Sequence, residues 1–241
     1  MKNCIVNYAT SNAWYPDAQK RLHKTIKFYS PEIDVLLFNE ITLKSPEHSK
    51  VPYAFKLYAI EEARSIGYEK VIWVDSSFWL IKSTSTIFDL VEAHSVLLQN
   101  SGYPVAQWSS DASLKHLGVE REDMWDVCMF SGGFQGYDFR EERTNIFFNS
   151  FLREAEKGTA FKGSWDNKNN VVSKDSRVCG HRHDMVVGSV LAHELGIAIQ
   201  PNNSLFAYYS QYKNYEDEYK NKESLSFLCE GGNREVEWGK K

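Results

Sequence analysis

Three short apolar runs constrain what this chain can fold into: "NCIVNYA" (3–9), "DVLLFN" (34–39) and "KVIWVD" (70–75). Each is too short for a core helix and is bounded by polar or turn residues. The segments between them have helical period. "PDAQKRLHKTIKFY" sets Ala18, Leu22, Ile26 and Tyr29 on one face behind Pro16, and "PYAFKLYAIEEARSIG" sets Ala54, Leu57, Tyr58 and Ala63 near one face and stops at Gly67. This β-α-β-α-β alternation predicts an α/β chain with a mostly parallel central sheet flanked by helices, and ligand chemistry at the carboxyl ends of the strands. Tyr8, Ala9 and Thr10 then share an edge with Asp75, Ser76 and Ser77.

Further along, a helix is expected over 83–93, strands over 95–99 and 104–108, and a polar helical piece near 120–124. "VCMFSGGFQGY" follows as strand and glycine turn, and an amphipathic helix runs from 139 to Gly158. Residues 159–182 are polar and irregular, as in a long loop over a functional surface. A helix opens at Asp184, with Val187, Val190, Leu191 and Leu195 inward, and closes at Gly196 before a strand at "IAIQP". We expect one domain over 1–212 and a peripheral helix or tail over 213–241, where charged residues dominate.

Composition excludes some roles. A net charge of −4 with both signs interspersed lacks the basic surface a nucleic-acid binder needs. No stretch approaches the ~20 apolar residues of a membrane helix, and the start of the chain has too short an apolar run for a signal peptide. Cys4, Cys128, Cys179 and Cys229 are scattered, without C-x-x-C, so neither a zinc knuckle nor a disulfide framework is indicated. The expectation is a cytoplasmic chain, of bacterial or viral (host cytosol) setting.

Several clusters could carry chemistry. Asp75 ends an almost unbroken apolar run, where a carboxylate can point out of the sheet into a crevice, although "DSS" is equally good capping material. Gly132, Gly133 and Gly136 lie among aromatics with Gln135 between them. They suit a close approach of backbone to ligand, or a bulged hairpin. "GHRHD" gathers His181, Arg182, His183 and Asp184 at a helix start, where unpaired N–H groups and positive potential favour a phosphate or a metal–phosphate complex. Lys56 could reach a ligand phosphate or be an ordinary solvated lysine. Trp108 and Asp111 could line an acceptor pocket, since aromatic rings stack on sugars, though Trp is also a common core residue.

Taken in order over 2–200, "NYATSN", "PYAFKLYAIEEARSIGYEKVIWVDSS", "FSGGFQG" and "GHRHD" resemble a nucleotide-sugar-dependent glycosyltransferase of the GT-A fold. In that family the first strand and its turn hold the nucleotide, and an Asp-x-Asp motif binds the diphosphate through a divalent metal. The glycine-aromatic strand shapes donor and acceptor sites, and a late acidic residue reaches the sugar. Here Asp75-Ser76-Ser77 keeps only the first acid. The resemblance implies a hexosyltransferase moving a sugar from a nucleoside-diphosphate sugar to a saccharide or glycan hydroxyl. Two arrangements stay open: Mn2+ or Mg2+ held by Asp75 with Ser77 and with help from His183 or His181, or metal-free operation with Arg182, Lys56 and the helix start holding the diphosphate. Asp184 is expected as the base that accepts the acceptor's proton or as a carboxylate that stabilises the sugar, with Asp111 in reserve. Tyr8, Ala9, Thr10, Lys56, Ser77, Trp108, Gly132, Gly133, Gln135, His181, Arg182 and His183 are the expected substrate contacts. A non-catalytic nucleotide-sugar or glycan binder on the same fold is the main alternative. A sugar-nucleotide nucleotidyltransferase ranks below it, because no glycine-rich basic loop follows the first strand.

Overall fold

The computed structural model describes residues 2–209 and 222–230. Its centre is a sheet of order β2-β1-β3-β7-β5-β6, formed by β1 (Asn3–Tyr8), β2 (Asp34–Phe38), β3 (Lys70–Val74), β5 (Val96–Pro104), β6 (Cys128–Phe130) and β7 (Phe134–Asp138), with β8 (Ile199–Gln200) on β5. β2, β1, β3, β5 and β8 run one way, and β7 and β6 run against them. The sheet is therefore mostly parallel, as the alternation of runs implied.

Helices cover both faces, so the inner strands are buried on both sides and read as continuous apolar runs. In β1, Cys4 and Val6 join a layer with Leu57 and Ile60 of α2 (Phe55–Ser65), Phe147 and Phe151 of α5 (Glu142–Lys157) and Val187 of α6 (His183–Glu194). Ile5, between them, joins Leu22 and Ile26 of α1 (Tyr15–Tyr29) and Ile87 and Val91 of α3 (Ser85–His94) on the opposite face. The period of two along the strand thus divides the core into two layers.

The antiparallel strand β7 matters for position. It lies between β3 and β5, pairing Val74 with Phe134, so its entrance meets the exit of β3. Asp75 N–H donates to Gly133 O at 2.9 Å across that junction. The glycines before and within β7 are steric necessities. A Cβ on Gly133 would lie 2.9 Å from the Phe78 ring, and one on Gly136 would lie 2.7 Å from Val91 Cγ2, where α3 crosses the sheet.

Some local expectations fail. The strand expected over 104–108 is a 3-10 turn, Ala106–Trp108, because β5 absorbs Pro104 and the chain then turns under Arg182. The piece near 120–124 is likewise one 3-10 turn, Glu122–Met124. A short helix, α4 (Asp111–Leu117), was not anticipated, although Ser110 caps it by accepting from Ser113 N–H and Gly118 closes it in the left-handed region. Beyond 212, most of the expected peripheral segment lies outside the described residues. Its described part is β10 (Phe227–Cys229), a buried strand between β4 (Phe78–Leu80) and β9 (Phe206–Tyr208) rather than a helix; "LSFLC" is apolar enough to be covered there. No described helix is long and apolar enough to cross a membrane, and the four cysteines are free.

Candidate functional site

Where β1 and β3 end, their tips are tied together. Asn7 Nδ2 donates to Val74 O at 2.7 Å, and the Ser76 hydroxyl donates to Tyr8 O at 3.0 Å and reaches Asn7 Oδ1 at 3.2 Å. From α1, Arg21 Nη2 donates to Ser77 O at 3.1 Å. The middle residue of "DSS" is therefore a buried strut, and Asp75 and Ser77 on either side of it line cavities.

Two cavities meet at this point. One, of about 610 Å³, lies beyond the ends of β1, β2 and β3 and is walled by Tyr8, Thr10, Trp14, Tyr15, His48 and Phe55, with Glu40 and Glu47 at its side. Tyr8 stacks on Phe55 at 4.6 Å. The other, of about 490 Å³, is lined by Gly132, Gly133, Asp184, His183, Arg182 and Trp165, among others. Tyr53, Lys56, Asp75 and Ser77 line both, so they form a shared ridge.

Lys56 holds the ridge together. Its ammonium, buried at the start of α2, donates to Gly132 O at 2.8 Å and lies 3.2 Å from Asp75 Oδ1 and 3.4 Å from Asp184 Oδ2. Burial opposes its charge, but the Asp184 and Asp75 carboxylates outweigh that and hold it above the ordinary lysine range. Asp75 Oδ1 also accepts from Trp73 Nε1 at 2.9 Å, and its side chain remains 37% exposed. Asp184 is almost fully enclosed. Burial pushes its carboxyl up to about 6, with Asp75 adding to the rise and Lys56 opposing it. The contact of Asp184 Oδ2 with Lys56 is an ion pair without hydrogen-bond geometry, and this oxygen has no hydrogen-bond partner although it is buried. A Cβ on Gly132 would sit 2.7 Å from it, so that glycine leaves the carboxylate its space.

The rest of "GHRHD" divides into unlike roles. His181 is structural: Ser110 N–H donates to Nδ1 at 3.2 Å, Nε2 pairs with Ala160 O at 3.1 Å, and burial lowers the ring to about 3, so it is a neutral brace rather than an anion ligand. His183 faces the second cavity. Its Nδ1 pairs with Phe161 O at 2.8 Å, and burial lowers its pKa too, leaving a neutral ring with Nε2 as acceptor. His183 and Tyr53 both have positive φ, 37° and 63°, and their rings lie 5.4 Å apart. Such backbone costs of order 1–3 kcal/mol per residue and clusters at ligand sites.

Of the other expected contacts, Tyr8 and Thr10 line the first cavity, while Ala9 is buried beside it, its N–H donating to Phe38 O at 3.1 Å. Gln135 is buried behind Gly132, accepting from the Tyr137 hydroxyl at 2.6 Å. Trp108 lies beneath Arg182 and lines neither cavity. Asp111 is also outside both, at the start of α4, paired with Arg121 at 2.6 Å. The sequence reading missed Tyr53, Trp165 and Asn7; an exposed tryptophan in the polar stretch "GSWDN" was the one available signal.

No group of three His, Cys, Asp or Glu able to hold a metal occurs among the described residues. The donors fit a different kind of ion site. Asp75 and Ser77 offer hard oxygens at the ridge, and magnesium commonly takes one carboxylate with phosphates and water as the remaining ligands. Asp75 and Asp184 share the single ammonium of Lys56.

No protein-family model matches the chain, and no curated protein matches it. Solved structures do. Mouse xyloside xylosyltransferase 1 aligns over 98% of this chain and 100% of its own at 8% identity, with a TM-score of 0.55. The bifunctional glycosyltransferase WbbM aligns over 96% of this chain, which spans 46% of that one, at 11% identity with a TM-score of 0.53. At these identities the likeness is one of architecture: this chain has the fold of glycosyltransferase structures.

Proposed function

We propose that the chain transfers a sugar from a nucleoside-diphosphate sugar to a hydroxyl of a saccharide acceptor. One observation carries this reading: the ridge of Tyr53, Lys56, Asp75 and Ser77 that two cavities share. A nucleoside diphosphate sugar has the matching layout, with a flat base and ribose for the aromatic cavity, a charged diphosphate for the ridge, and a sugar for the cavity beyond. In the first cavity the stacked pair Tyr8 and Phe55 supplies aromatic surface for the base.

In the transfer, the bond between the anomeric carbon and the diphosphate oxygen breaks, and its electron pair leaves with the diphosphate. The acceptor oxygen bonds to that carbon and gives its proton to Asp184 Oδ2. That oxygen suits the task because it lacks a hydrogen-bond partner and its carboxyl titrates near 6, close to the range where a general base is most effective. Lys56 orients Asp184 and Asp75 and keeps two neighbouring carboxylates from repelling each other. His183 Nε2 accepts a hydroxyl of either sugar. A magnesium or manganese ion, held by Asp75 and Ser77 with the phosphates, would offset charge on the leaving group.

Calorimetry with UDP-, GDP- and CDP-sugars, with and without manganese, followed by assay for sugar transfer, tests this directly. Tight binding without transfer to any saccharide would favour a non-catalytic binder, and no binding of any nucleotide would remove the proposal.

A further inference from the structure

Arg182 is held in a way that the transfer chemistry does not require. Its guanidinium carbon lies 3.6 Å from the Trp108 ring centroid and 3.9 Å from that of Trp165, so the plane is clamped between two indoles. Nη1 donates to Trp165 O at 2.7 Å, and the Arg182 backbone N–H donates to Trp108 O at 3.0 Å. With its faces covered, the guanidinium can present only an edge to the cavity it lines. That fork is the geometry that matches a carboxylate or phosphate with two parallel hydrogen bonds.

Among the described residues no carboxylate answers it. Arg182 makes no ion pair with any of them, and the only acidic ones lining the cavity, Asp75 and Asp184, both pair with Lys56. Position argues against the donor diphosphate as its partner. Ring contacts run in one order, from Tyr8 through Phe55 and Tyr53 at the ridge to Trp165, then Arg182, then Trp108 and Tyr103. Arg182 thus stands on the far wall from the nucleotide cavity. Trp165 and Tyr103, about half exposed at 51% and 50%, line the same cavity beside it and supply aromatic surface of the kind on which sugars pack.

We infer that the outer wall of this cavity is an acceptor subsite for an acidic saccharide, one whose carboxylate or phosphate is held by Arg182 while a sugar ring packs on Trp165. This rests on the reading of the site as a sugar transferase and names the class of its acceptor.

The test compares ligands that differ only in charge: methyl β-glucuronide against methyl β-glucoside for a carboxylate, and glucose 6-phosphate against glucose for a phosphate. Each is titrated by tryptophan fluorescence and calorimetry at low and high salt, with and without saturating UDP. The acidic member of at least one pair should bind about tenfold or more tightly, as expected for hydrogen bonds to a charged group. Added salt should narrow the gap. Arg182→Gln, which keeps a donor for Trp165 O, should abolish the preference; Arg182→Lys should keep part of it. Trp165→Ala, a second variant that leaves the charge in place, should weaken acidic and neutral sugars alike. Equal binding within both pairs, or binding of none of the four, overturns the inference. So does an Arg182→Gln protein that keeps the preference, or one that instead loses UDP affinity, which would assign Arg182 to the donor. Failure of every nucleotide to bind would sink the transferase reading and the acceptor role with it, while the UDP-free titrations would still report separately whether Arg182 selects acidic sugars.

Discussion

Asp184→Asn separates the electrostatic account of the site from its chemical one. Moving a carboxyl from its ordinary 3.8 to about 6 means that the folded protein prefers it protonated. The sign follows from proton uptake. Between these values the folded state binds more protons than the unfolded one, so stability falls as pH rises from about 4 to about 6 and stays lowered above. A displacement of about two units corresponds to about 3 kcal/mol, and the side chain is buried enough for solvent not to erase it. Asn has the same shape and no titration. Urea unfolding followed by circular dichroism at several pH values should therefore show the wild type losing about 3 kcal/mol relative to Asp184→Asn across that window. With a working donor and acceptor, kcat should drop about 10²–10⁴-fold while nucleotide affinity stays nearly unchanged, and wild-type kcat should rise through pH 6. A stability difference that stays flat from pH 4 to 6.5 would refute the buried-carboxylate reasoning, and undiminished transfer would refute the assignment of the base.

Lys56→Met should cost about 3–5 kcal/mol in urea unfolding, because it strands two carboxylates around an empty place, and it should raise the Asp184 pKa further, seen as a shift of the wild-type pH midpoint to higher pH. Gly136→Ala should destabilise by about 1–3 kcal/mol with little change in ligand binding, since its Cβ would press on Val91 and not on the cavities. Chelation with EDTA should weaken UDP binding in calorimetry and manganese should restore it, whereas Asp75→Asn should be insensitive to both; equal EDTA sensitivity of the two proteins would place the ion elsewhere.

The frame of the fold was legible because strands buried on both faces leave unbroken apolar runs, as β1 and β3 do, and because the half-buried edge strand β2 keeps a short apolar run of its own. α4 escaped because seven residues give too little period to count, and its signals were the capping Ser110 and the closing Gly118. Within the site, residue types pointed to the right segments without disclosing their roles. Lys56 read either as a ligand-phosphate contact or as an ordinary solvated lysine, and its place between two carboxylates stayed hidden, since only the fold brings Gly132, Asp75 and Asp184 around it. His181 and His183 are indistinguishable as letters, and they part because one ring lies against Ser110 and Ala160 while the other faces the cavity. Tyr53 left no trace at all: its place on the ridge depends on a left-handed backbone turn that no local pattern announced.

The clamp on Lys56 also limits how the site can be altered. Its ammonium joins helix α2 to the exit of β3, the entrance of β7 and the start of α6. Residues that share one charged hub do not respond independently, so substitutions at Asp75, Lys56 and Asp184 will be strongly non-additive. Re-engineering for a different donor or acceptor is then best confined to the two outer walls, around Tyr8 and around Trp165. There, side chains can be exchanged one at a time without asking the hub to find a new balance of charge.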